Sequence, residues 1–147
     1  VKSILLSILL TVNASSMFAD ALILKKGTPV KLKILNTISS ETAKIGDLVN
    51  LEVAENVKVG DTIVIPAGNQ ARGFVARAES RKLFGAGTLN VYVHSVLGPG
   101  GLQVPLYGLS EATASGADTQ IAQGSGVTAH VDVDVPIDEA TLLRDYD

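Results

Sequence analysis

The sequence predicts an all-β fold: a small closed or partly open antiparallel β-barrel, sandwich-like in packing, preceded by a cleavable N-terminal signal helix. Three observations lead there. Apolar and polar residues alternate with period two through most of the chain after residue 21, the pattern of half-buried strands. No stretch before residue 137 carries the 3.6-residue period of an amphipathic helix. One phrase, apolar-x-x-Gly-x-x-apolar-x-(apolar or Gly)-x-apolar, occurs at Leu24–Ile34, Ile65–Val75 and Ile121–Val131. It reads as a short strand, a glycine in a backbone conformation closed to residues with a Cβ, and a second strand. Recurrence of one such corner suits a barrel or sandwich, and closure also removes exposed edges.

Residues 1–21 explain part of the high mean hydropathy of +0.32. Lys2 gives a positive start, Ile4–Val12 is apolar apart from Ser7 and Thr11, and Ala19-Asp20-Ala21 is the small-x-small pattern read by signal peptidase. The apolar run is shorter than the ~20 residues of a membrane span. Export to a bacterial periplasm or exterior is expected, with residues 22–135 forming the β-barrel domain and 136–147 a C-terminal tail.

The strands follow in order. Val30, Leu32 and Ile34 alternate with Lys31 and Lys33, and Val49, Leu51 and Val53 alternate with Asn50, Glu52 and Ala54. Ile63–Ile65 is a short apolar run closed by Pro66. In Gln70–Ala78, Ala71, Gly73 and Val75 oppose Arg72, Phe74 and Ala76. Thr88–Leu97 is the longest strand, with Leu89, Val91, Val93 and Ser95 opposing Asn90, Tyr92, His94 and Val96. Gly98-Pro99-Gly100-Gly101 is a turn by composition, and Leu102–Tyr107 returns as the hairpin partner. Leu109–Gln123, small and polar, reads as a surface loop. Val127–Val135 alternates as one closing strand, and Ile137–Asp147 reads as a short helix capped by Asp138 or a frayed end.

Composition narrows the function. The 147 residues contain no Cys, which excludes disulfides, thiolate metal sites and a Cys nucleophile. Twelve basic against 15 acidic residues give a net charge of −3, which argues against a nucleic-acid binder relying on phosphate neutralisation. His94 and His130 lie mid-strand without a ligand-spaced partner, and nothing nearby resembles a strained nucleophile turn. Asp132, Asp134 and Asp138 make a carboxylate-rich strand end, but a calcium loop's glycine turn and bidentate Glu are missing, so a solvated end is expected. No metal or cofactor is predicted, and no enzymatic activity.

The segment Arg77–Gly87 joins two strands with three cations, an exposed-looking Phe84 and a Gly-x-Gly that has neither Rossmann nor Walker spacing. Two readings stand: a hairpin with a solvated basic tip whose Phe84 folds back over the barrel end, or a contact loop in which Arg77, Arg81 and Lys82 meet an acidic protein or an envelope glycan and Phe84 is the apolar anchor. The leading expectation is therefore a non-enzymatic exported module that binds or scaffolds an envelope partner. Two alternatives are a subunit of an envelope-spanning secretion or conjugation-type assembly and a polymer hydrolase. The hydrolase would use carboxylates drawn from Glu52, Glu55, Asp61 and Asp132, converging at roughly 5–10 Å.

From Gly27 to Gly108 the chain also shows Gly27-Thr-Pro-Val-Lys-Leu32, Thr37-Ile-Ser-Ser40, Gly46-Asp-Leu-Val-Asn-Leu-Glu-Val-Ala-Glu-Asn-Val57, Val64-Ile-Pro-Ala-Gly68, Leu89-Asn-Val-Tyr-Val-His-Ser-Val96 and Val104-Pro-Leu106. This succession resembles the periplasmic β-barrel domain of TrbI-type conjugal-transfer and type IV secretion core proteins. It also resembles small exported bacterial β-domains of unassigned function. The resemblance implies a small barrel in the cell envelope. A membrane helix, a Pro-rich linker and an inserted helical hairpin belong to the secretion-core pattern and are missing from these residues, so a channel role is not implied.

Overall fold

The alternation read from the sequence is an alternation of burial. In the computed structural model, which describes residues 22–81, 85–114, 117–138 and 142, β2 (Pro29–Ile34) buries Val30, Leu32 and Ile34 and exposes Pro29, Lys31 and Lys33. β4 (Leu48–Val53) buries Val49, Leu51 and Val53. β7 (Gln70–Glu79), β8 (Gly87–Leu97), β9 (Gln103–Ala114) and β11 (Gly126–Val131) follow the same rule. These six strands close an antiparallel barrel in the order β11-β2-β4-β7-β8-β9. Three two-stranded ribbons surround it: β1 (Leu22–Leu24) with β12 (Val135–Ile137), β3 (Ile38–Ser39) with β10 (Gln120–Ile121), and β5 (Val57–Val59) with β6 (Thr62–Ile65). The small closed barrel expected from the sequence is the fold of the chain.

Register sets the layers of the core. Leu51, Ala71, Val96 and Val104 stand across from one another on successive strands, and so do Val49, Gly73, Val93 and Gly108. The second layer needs its glycines: a Cβ on Gly73 would collide with the Tyr92 carbonyl oxygen, and one on Gly108 would lie 2.8 Å from the Ala129 Cβ. Burying a Leu or Val completely contributes about 1.5–3 kcal/mol, and the core is built almost wholly of such residues.

The recurring phrase is a structural unit. Gly27, Gly68 and Gly124 all have positive φ, and their N–H groups donate to the carbonyls of Val131, Val53 and Ile34 at 2.7, 2.8 and 2.7 Å. Gly46 does the same on Val75 at 2.8 Å, with φ +93°. Ala43-Lys-Ile-Gly46-Asp-Leu-Val49-Asn-Leu51-Glu-Val53 in fact obeys the phrase, with small Ala43 concealing the first apolar position. The four corners form two reciprocal sets. β2 and β11 each begin with a corner docked on the other, and so do β4 and β7.

The structure departs from the sequence reading in two places. Leu109–Gln123 is not a loop: Leu109–Ala114 continues β9 and Gln120–Ile121 is β10. Its small polar residues reflect a ribbon standing beyond the barrel, where no side chain of β9 after Leu106 is fully buried. Val127–Val135 is not one strand: it breaks at Asp132–Asp134, where the Asp134 carboxylate accepts the Lys26 N–H at 2.8 Å, and resumes as β12. The expected signal segment lies outside the described residues, as does most of the tail. Leu142 is helical, buried, and donates its N–H to the Asp138 carbonyl at 3.3 Å.

Candidate functional site: an apolar row on the barrel wall

Outward positions on a half-buried strand are ordinarily polar. Across four neighbouring strands one outward row is apolar. Leu48 of β4 faces Phe74 of β7, Phe74 faces Tyr92 of β8, and Tyr92 faces Leu109 of β9. Their exposures are 65, 38, 38 and 48%. The Phe74 and Tyr92 rings lie 5.6 Å apart at 34°. Ile45, in the corner leading into β4, is 73% exposed. Single exposed apolar residues are commonplace, whereas a contiguous set marks an interaction surface.

The neighbouring rows are polar. Arg77, Asn90 and Glu111 stand in register on one side, and Asn50 and Arg72 on the other. Further round the wall, Tyr107 and His130 face each other across β9 and β11 with stacked rings 5.5 Å apart. The β2–β4 wall is different in kind. Lys33 pairs with Glu52 at 2.9 Å and Lys31 with Glu55 at 3.4 Å. The barrel therefore has a charged, self-compensated side and an apolar, aromatic side.

The residues singled out from the sequence are placed as follows. Arg77 projects from β7 and pairs with Glu79 at 3.2 Å. Arg81 follows β7, and its backbone N–H donates to the Asp118 carboxylate at 2.6 Å. Lys82 and Phe84 lie outside the described residues. The base of this loop is clamped: the Asp118 carboxylate also accepts the buried Ser40 hydroxyl at 3.2 Å, and Gly87 donates its N–H to the Ala117 carbonyl at 3.0 Å. A Cβ on Gly87 would lie 2.7 Å from that carbonyl oxygen, which is why the second glycine of the Gly-x-Gly stands there. Glu52 and Glu55 are engaged by lysines, and Asp134 caps a corner. Among the described residues no three His, Asp or Glu side chains gather as a metal site, and no helix is long and apolar enough to cross a membrane.

The row itself is not visible to sequence reasoning. Phe74 and Tyr92 fall on the outward halves of their strands, but strand by strand each stands alone. The available signal is coincidence of an apolar residue at the polar phase in adjacent strands, and that becomes visible only once register is known.

No family model matches the chain, and no curated protein matches it. A solved structure, ComB10 of the Com type IV secretion system of Helicobacter pylori, is similar to it with 13% identity and a TM-score of 0.49, covering 81% of this chain and 95% of that one. At that identity no site residue carries over from one chain to the other.

Proposed function

We propose that the chain is a non-enzymatic barrel module of the bacterial cell envelope that docks onto a protein partner through its β4–β7–β8–β9 wall. The row Leu48–Phe74–Tyr92–Leu109 is the observation that carries this reading. Aromatic residues supply large, rigid contact area and are enriched where interfaces gain most of their energy. The flanking cations Arg72 and Arg77, with Arg81 beyond the end of β7, would supply the polar rim and steer an acidic partner. Export rests on the leader-like residues 1–21. A neighbouring subunit of a secretion or conjugation-type assembly is the narrower form of the same reading.

The test is recovery of partners from envelope extracts with the wild-type chain, a Phe74→Ser/Tyr92→Ser variant and an Arg81→Ala/Phe84→Ala variant. Loss of a partner in the first variant supports docking through the wall. Loss only in the second moves the site to the loop, and identical partners in all three reject both surfaces.

A further inference from the structure

β9 is paired unequally on its two sides. It pairs with β8 from Gln103 to Ala114, but with β11 only at Leu106↔Val131 and Tyr107↔His130. One further bond runs from the Asp132 N–H to the Pro105 carbonyl at 3.0 Å. From Leu109 to Ala114 the side away from β8 has no strand partner among the described residues. An antiparallel strand turns alternate N–H and C=O groups to each side, so among the described residues this stretch holds out an unused ladder. Its side chains are all exposed or half-buried. An edge of that kind is a template for an added strand.

We infer that an extended segment of a partner protein adds to β9 along Leu109–Ala114, bringing an apolar residue beside Leu109 and a basic residue beside Glu111. This rests on the docking reading above and specifies how the partner arrives. Leu109 terminates the apolar row, so a strand added there lengthens the row Leu48–Phe74–Tyr92–Leu109 by one position. Glu111 lies two residues further along the same outward face. It is exposed, faces neutral Asn90 in β8, and has no ion pair among the described residues. Opposite charges directly across an antiparallel pair attract and like charges repel. A second copy of this chain suits the edge less well, because self-pairing centred on Glu111 sets carboxylate against carboxylate.

The experiment uses the full chain and a synthetic peptide of about nine residues, strand length, built on Thr with Leu and Lys two positions apart. Its companions are the same peptide with Glu for Lys and the same peptide N-methylated on its backbone. The Lys peptide is expected to bind and to slow amide exchange at Leu109–Ala114, and N-methylation is expected to abolish binding. Glu111→Lys, an exposed change, is expected to invert the preference between the Lys and Glu peptides, by up to about fivefold in each direction. The inference is overturned by no binding, by binding that leaves those amides unprotected, by indifference to N-methylation, or by self-association of the chain that protects the same amides. Phe74→Ser separates the two ideas. Envelope docking that survives Phe74→Ser while the peptide still protects β9 rejects the wall and keeps the edge; the opposite pair of results rejects the edge alone.

Discussion

Phe74 and Tyr92 face each other across β7 and β8 on the outside of the barrel, ring centroids 5.6 Å apart, with Leu48 and Leu109 extending the row on either side. A cross-strand aromatic pair of this kind contributes roughly 0.2–1 kcal/mol beyond Ala–Ala. That is small beside the core layers beneath it. Four large apolar side chains left partly in water are thus a poor device for holding the barrel together and a good one for meeting another surface.

Phe74→Ser and Tyr92→Ser each remove a ring that is 38% exposed, and each is expected to lower unfolding stability by about 1–2 kcal/mol. Urea denaturation of the two variants checks this. A loss of several kcal/mol would mean that the row supports the fold rather than a contact.

The four glycine corners give a sharper expectation. At Gly46 nothing lies within 4 Å of the place a Cβ would take, so Gly46→Ala adds no clash and its cost is that of holding an L residue at φ +93°. About 1–2 kcal/mol is expected there. Gly27, Gly68 and Gly124 are equally uncrowded and share the hydrogen-bond pattern, so their Ala variants are expected to fall within about 0.5 kcal/mol of the same value. Widely different denaturation midpoints would show that the corners are not equivalent units.

Gly108 tests packing instead of backbone conformation. Its missing Cβ is required by Ala129, whose Cβ would lie 2.8 Å away. Gly108→Ala is expected to cost about 1–3 kcal/mol through overpacking, and Ala129→Gly in the same chain to restore part of it. A double-mutant cycle measures the coupling to the Ala129 Cβ; because the Ala129 Cα would also lie 2.9 Å away, the result that contradicts the close approach is a Gly108→Ala variant as stable as the wild type.

Asp118 links the β7–β8 connection to β3 by accepting the Arg81 N–H and the Ser40 hydroxyl. Asp118→Ala is expected to cost about 1 kcal/mol and to speed exchange of the Arg81 amide well beyond that of the barrel amides. Unchanged Arg81 exchange would show that the clamp does not hold the loop base in solution.

Much of this fold is legible in the sequence because burial on a strand has period two, so Val30, Leu32 and Ile34 or Val49, Leu51 and Val53 declare their faces locally. The corners are legible because a positive φ calls for glycine at one fixed offset. The outer half of β9 is not, since Ser110, Ala112 and Ala114 face a ribbon interior that is only half-buried and give no apolar signal. The break after Val131 is also hidden, because Asp132 and Asp134 keep the alternation while Asp134 leaves the sheet to bond Lys26. The apolar row is a property of register between strands, and no single strand carries it.

Photo-crosslinking in intact envelopes tests the central claim most directly. A photoreactive residue replaces Tyr92 on the apolar wall in one variant and Lys31 on the ion-paired wall in another. Docking through β4–β7–β8–β9 predicts a discrete crosslinked protein from position 92 and none from position 31. Crosslinking from position 31 alone, or equal products from both walls, would contradict it.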